Sequence, residues 1–177
     1  MDRERDEFEP DDEREEEGSQ LPEDLETPPP FFPTDIGREG FAGTPVAVRV
    51  EGVYSTEEAG TIHRFVQLED DSGRVLPISI GPYEAMAIHI ALENSSVSRP
   101  LTHDLMKTLL DRVDVELDRV VIDDLWNSTY YAKLYIRKGA EEIEVDCRPS
   151  DAIALALRTG SGIFVSDSIL ESYNEGE

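Results

Sequence analysis

The chain has one cysteine, three lysines and no long apolar run, and each shortage excludes something. Cys147 alone cannot form an internal disulfide or a cysteine-rich metal site. No stretch approaches membrane-spanning length, and the opening residues MDRERDEFEPDDE lack the apolar core of a signal peptide. Cytoplasmic residence, without membrane association, is the resulting expectation. No phosphate-binding glycine loop, HExxH pair or nucleophile elbow is present.

Acidic residues are abundant. Sixteen Lys and Arg face 40 Asp and Glu, for a formal net charge of −24. Residues 1–43 hold 16 acids against 4 bases, and residues 44–177 hold 24 against 12, so the charge is densest before residue 44. Such a surface argues against avid general binding to nucleic acid, which needs a basic footprint. It fits a salt-adapted source, an acidic partner-binding protein or compositional drift. Residues 1–43, with Pro28, Pro29, Pro30 and Pro33, bury too little apolar surface to offset ordering entropy and are expected to be a disordered tail.

From Pro45 onward the pattern changes. Val46, Val48 and Val50 alternate with Ala47, Arg49 and Glu51, as in a half-buried strand that Gly52 interrupts. The polar stretch STEEAGT then reads as a connection to a second strand, HRFVQLED, and Asp71-Ser72-Gly73 as a hairpin turn into RVLPISI. Gly81-Pro82 stops that strand and opens a helix, YEAMAIHIALEN, with Glu84 near its positive end. The same order returns in LDRVVIDDL, YYAKLYIRK and EEIEVDC, followed by Arg148-Pro149-Ser150-Asp151 and the helix AIALALRT, ended by Gly160. Phe65 aligns with Tyr131, Gly73 with Gly139 and Pro82 with Pro149. The expectation is one compact α+β domain over 44–171, built from a duplicated β-β-β-α unit, with a polar end at 172–177. A linking helix joins the copies: Thr102 is its expected N-cap, and Leu105, Leu109 and Val113, with Met106 and Leu110, form its apolar stripe.

Polar residues gather at the helix starts. In Arg99-Pro100-Leu101-Thr102-His103-Asp104, a histidine beside an acid can supply a general base and the anion that orients it, and Arg99 can bind phosphate. The structural reading makes Asp104 a dipole partner and His103 a packing residue. In the second turn, Arg148 offers a planar fork for phosphate; its structural reading pairs it with Asp151 or Asp123, with Ser150 as cap. Asp123, with Glu84, Asp104 or Asp151, could hold Mg²⁺ or Mn²⁺ through oxygen, although surface acids are common here. Nothing marks Cys147 as a nucleophile.

VRVEGVY, GRVLPISIGPYEAMAI, RPLTHDLM, RVVIDDLWNSTYYAKL and VDCRPSDAIALALRTGSGIFV together resemble the bifunctional nuclease domain family of bacteria and archaea, which has plant relatives. The resemblance covers about residues 44–171. It implies a compact α+β fold, assembly into homo-oligomers, and nuclease activity toward RNA and DNA. By position it marks Glu84, Arg99, His103, Asp104, Asp123, Arg148, Ser150 and Asp151. On that basis His103, Asp104 and Asp151 are the expected catalytic residues, Arg99, Arg148 and Ser150 the substrate contacts, and Glu84 and Asp123 the metal ligands. Where the family often has an Asp-Gly-Thr turn, this chain reads Trp126-Asn127-Ser128-Thr129. The alternative is a non-catalytic oligomeric module that binds an anion or a partner protein. Of the two proline–acid turns, the first has Gly81 where the second has Arg148, so the first is expected to be mainly structural.

Overall fold

The alternating valines begin a long first strand, β1 (Pro45–Glu58). The computed structural model describes residues 43–95 and 97–175, so the acidic tail expected over 1–43 lies outside the described residues except for Gly43. Gly52 does not end β1. The register against the next strand shifts between Val50 and Gly52, which marks a β-bulge. The polar residues Ser55–Glu58, expected as a connection, continue the strand and pair with Thr61–Arg64. Backbone hydrogen bonds carry this polar ribbon, and hydropathy does not report them. The turn shrinks to Ala59-Gly60, both at positive φ, as tight hairpin turns require.

β2 (Thr61–Asp70) and β3 (Val75–Ser79) complete an antiparallel meander, and α1 (Pro82–Leu92) follows it. After α2 (Thr102–Arg112) comes a second meander, β4 (Glu116–Trp126), β5 (Thr129–Lys138) and β6 (Glu141–Cys147), then α3 (Pro149–Thr159). The short β7 (Gly162–Ser166) and α4 (Asp167–Asn174) follow. Among the described residues the architecture is α+β, with seven strands in the order β3-β2-β1-β7-β4-β5-β6. β7 runs antiparallel to β1 and parallel to β4, so a strand late in the chain joins the two meanders. No described helix is long and apolar enough to cross a membrane.

The core lies between the sheet and α3, whose residues Ala152–Ala156 are all buried. α3 packs against α1 and α2 and rests on β4, β5 and β7. Ile88 from α1 and Leu68, Ile122 and Leu155 join the same apolar cluster; burying each such side chain contributes about 1.5–3 kcal/mol. On α2 the expected stripe divides. Met106 and Leu110 pack against the core, whereas Leu105, Leu109 and Val113 are exposed.

Strand alternation sends neighbouring residues to opposite faces. Ala132 and Leu134 enter the core, so Lys133 and Tyr135 point away from the helices. There Arg119 sits 4.0 Å over the Tyr135 ring and bonds Glu142, while Lys133 pairs with Asp123 and Glu144. At the β3 edge, the Asn174 side chain accepts from the Val75 N–H and donates to the Val75 carbonyl. An amide from α4 thus covers part of an open strand edge.

Candidate functional site

α1 and α3 start in the same way. Each has proline at its first turn, where the missing N–H costs nothing, and each N-cap is extended: Gly81 for α1 and Arg148 for α3. Because these helices pack together, the two starts meet. Arg148 Nη1 donates to Glu84 Oε1 at 3.0 Å. Its Nε and Nη2 donate to Asp151 Oδ2 and Oδ1 at 2.8 and 3.2 Å, a forked pairing. The first turn, expected to be mainly structural, therefore enters the cluster through Glu84. Ser150 is buried and makes no side-chain cap.

α2 delivers the histidine. His103 is 8% exposed, and its Nε2 lies 3.1 Å from Asp151 Oδ1. Burial raises the Asp151 pKa, but hydrogen bonds from Arg148 and His103 outweigh it and hold the carboxyl below its ordinary range. An ionised carboxylate only accepts hydrogen bonds, so His103 Nε2 carries the proton and neutral imidazole keeps its lone pair on Nδ1. His103, Asp151, Arg148 and Glu84 thus form one chain of polar contacts drawn from three helices.

Asp104, expected to orient the imidazole, is engaged elsewhere. Its Oδ2 accepts from the N–H of Leu101, which is the N-cap in place of the expected Thr102. Its Oδ1 accepts from Arg158 Nε at 2.5 Å. The backbone bond, then the Arg158 pairing against the effect of burial, holds its pKa low. Among the described residues Asp104 makes no hydrogen bond to His103, and Asp151 is the acid that does.

Two cavities meet at Arg148. One, about 620 Å³, is lined by His103 and Met106, by Tyr130 and Leu134, and by Arg148 and Asp151. The other, about 350 Å³, is lined by Ser79, Gly81, Glu84, Ser128 and Ser150 as well as Arg148. Thr129, Tyr130 and Arg148 line both. The β4–β5 turn places the first two: Asn127 and Ser128 both adopt positive φ, the geometry of a tight two-residue hairpin. The larger cavity has the size of an ordinary small-ligand pocket. Sequence reasoning named Thr129 only as part of the altered Trp126-Asn127-Ser128-Thr129 turn, and it did not single out Tyr130 or Arg158.

Two expected residues stand apart. Arg99 is exposed and lines neither cavity. Asp123 lies on the sheet face away from the helices, paired with Lys133 at 3.4 Å; burial raises its pKa, and Lys133 partly opposes this. The metal ligands expected at Glu84 and Asp123 are therefore not brought together. Among the described residues no three His, Cys, Asp or Glu side chains cluster to hold a metal ion. Glu84 is instead bound by a cation. Cys147 lines the larger cavity, but burial, with Asp146, Asp151 and Asp123 nearby, pushes its thiol up to about 12.

A histidine fixed by a carboxylate can take and return a proton, and an adjacent guanidinium can hold an anion. The family description "bifunctional nuclease domain" matches residues 66–175. An uncharacterized protein of Mycobacterium tuberculosis is 41% identical over 102 residues, 58% of this chain and 60% of that protein. Bifunctional nuclease 1 of Oryza sativa subsp. japonica is 33% identical over 114 residues, and Bifunctional nuclease 2 of Arabidopsis thaliana 28%. The match covers 63% of this chain but only 34% of either plant protein.

Proposed function

The chain belongs to the bifunctional nuclease domain family, and from that premise we propose that it hydrolyses phosphodiester bonds of RNA or DNA at His103, Asp151 and Arg148. The observation that carries the reading is the contact of His103 Nε2 with Asp151 Oδ1, at 3.1 Å, beside an arginine that lines the same cavity. Asp151 fixes the imidazole so that Nδ1 accepts a proton from water. The water oxygen bonds to phosphorus as the bond to the leaving sugar oxygen breaks, and the imidazolium returns its proton to that oxygen. Arg148 balances charge on the non-bridging oxygens. No step is routed through a metal ion, because the expected ligands Glu84 and Asp123 do not fit one. A requirement for Mg²⁺ or Mn²⁺ is read by assaying with each ion and with chelator. The family premise extends the proposal to a homo-oligomer, which light scattering checks; cytoplasmic residence, proposed from the composition, is checked by fractionation.

One observation favours a second reading, a non-catalytic module that binds an anion or a partner. Arg148 is already paired with two carboxylates, and Glu84, Asp151 and Arg148 together carry one net negative charge. Cleavage of labelled RNA and DNA strands by the purified chain separates the two. His103→Ala and Arg148→Ala are each expected to slow cleavage by roughly 100-fold or more. Unchanged cleavage in both would refute the site, and no cleavage by the parent chain would leave the module reading.

A further inference from the structure

We propose that Glu84 is a stand-in for substrate phosphate, whose carboxylate holds Arg148 in the free protein and gives way when a phosphodiester arrives. The inference rests on the nuclease reading and assigns Glu84 control of affinity rather than a place among the reacting groups.

The three bonds of the Arg148 fork are unequal. Asp151 takes two of them and fixes the plane of the guanidinium, while Glu84 takes Nη1 alone. The single bond is the exchangeable one, because its loss leaves the fork in place. Arg148 is accessible, with 65% of its side chain exposed against 21% for Glu84. It also lines both cavities, so an anion that reaches it stands near both His103 and Glu84. Carboxylate and phosphate oxygens offer the same charge-assisted bond. Exchanging one for the other therefore keeps the cation paired throughout, whereas a neutral ligand would strand it.

Gly81 supplies the second observation. A Cβ built there would meet Glu84 Oε2, so the space a side chain would fill is taken by this carboxylate. The backbone does not require glycine, since Gly81 has φ −75°. Glycine at 81 and arginine at 148, the difference between the two turns, are then two halves of one contact: one leaves room for the acid and the other binds it.

The test is fluorescence anisotropy with a short fluorescein-labelled DNA strand of phosphorothioate linkages, which keep the charge and resist cleavage, in chelator, with thermal melts as the folding control. Glu84→Gln keeps the shape and removes the charge, and it is expected to bind roughly fivefold tighter. Gly81→Ala keeps the charge, crowds the carboxylate away from Nη1, and should shift affinity in the same direction. In an Arg148→Ala background, Glu84→Gln should bring no gain. Unchanged or weaker binding by Glu84→Gln, where the parent chain binds, overturns this inference and leaves the nuclease reading standing. Failure of every protein to bind this strand and its RNA counterpart, in chelator and in Mg²⁺, overturns both.

Discussion

Asp70 ends β2 at 3% exposure, and its neighbours hold its charge in place of water. Burial raises its pKa, but bonds from Arg74 and Ser72 more than reverse this and bring it from 3.8 to about 2. The folded value lies below the unfolded one, so the stabilisation is complete above about pH 4. It is lost as pH falls through about 2. Asp70→Asn should therefore cost about 2 kcal/mol at pH 7, and its urea midpoint should approach the parent's between pH 4 and 2. Cys147 gives a second prediction. With its thiol pushed up to about 12, iodoacetamide at pH 8 should label the folded chain far more slowly than the chain in urea. Equal rates would contradict the buried setting described for it.

Among the elements, α2 is held by a residue distant in sequence. The Arg158 side chain, 7% exposed, donates to Asp104 at the start of α2, to the Ala87 carbonyl of α1 and to the Ala154 carbonyl of its own helix. One guanidinium thus ties three helices. Arg158→Leu strands a carboxylate and a carbonyl, and it should cost about 3 kcal/mol in urea unfolding. Asp104→Ala removes a helix-start partner and also leaves the buried Arg158 guanidinium without its carboxylate, so it should cost about 3 kcal/mol or more. It should slow cleavage far less than His103→Ala, since Asp104 does not bond the imidazole. These contacts also mark how far the sequence could be read. Strands and turns were legible because alternation, Asp71-Ser72-Gly73 and the two X-Pro starts act over a few residues. Ser55–Glu58 was not, because polar residues paired by backbone alone leave no hydropathy trace. The helix starts could be recognised as polar clusters, but their wiring could not. Arg148 finds Glu84 across 64 residues and Arg158 finds Asp104 across 54, and only packing decides such partners.

For the molecule as a whole, charge sets the terms of any encounter with nucleic acid. Residues 44–177 have twelve Lys and Arg, and among the described residues eight of them pair with Asp or Glu. Little free positive charge is left to displace counterions from a strand. With Arg148 as the phosphate contact, the plot of log affinity against log salt should be flatter than about −2. Added salt also screens the repulsion from the surrounding acids beyond about 8 Å. Titrating the labelled strand at several salt concentrations checks this, and a steep slope would point to a basic face formed in an assembly.

The position of β7 bears on how the chain is made. Residues 162–166 lie between β1 and β4, and those strands have no pairing with each other. On a growing chain, the meander of residues 45–79 and the meander of residues 116–147 can each form as a small sheet with an open inner edge. Both edges wait for the same five residues, so the sheet is completed by the insertion of a keystone. Until then a second nascent chain can offer either edge a competing strand. A chain that stops after residue 147 and is released in full should expose that state.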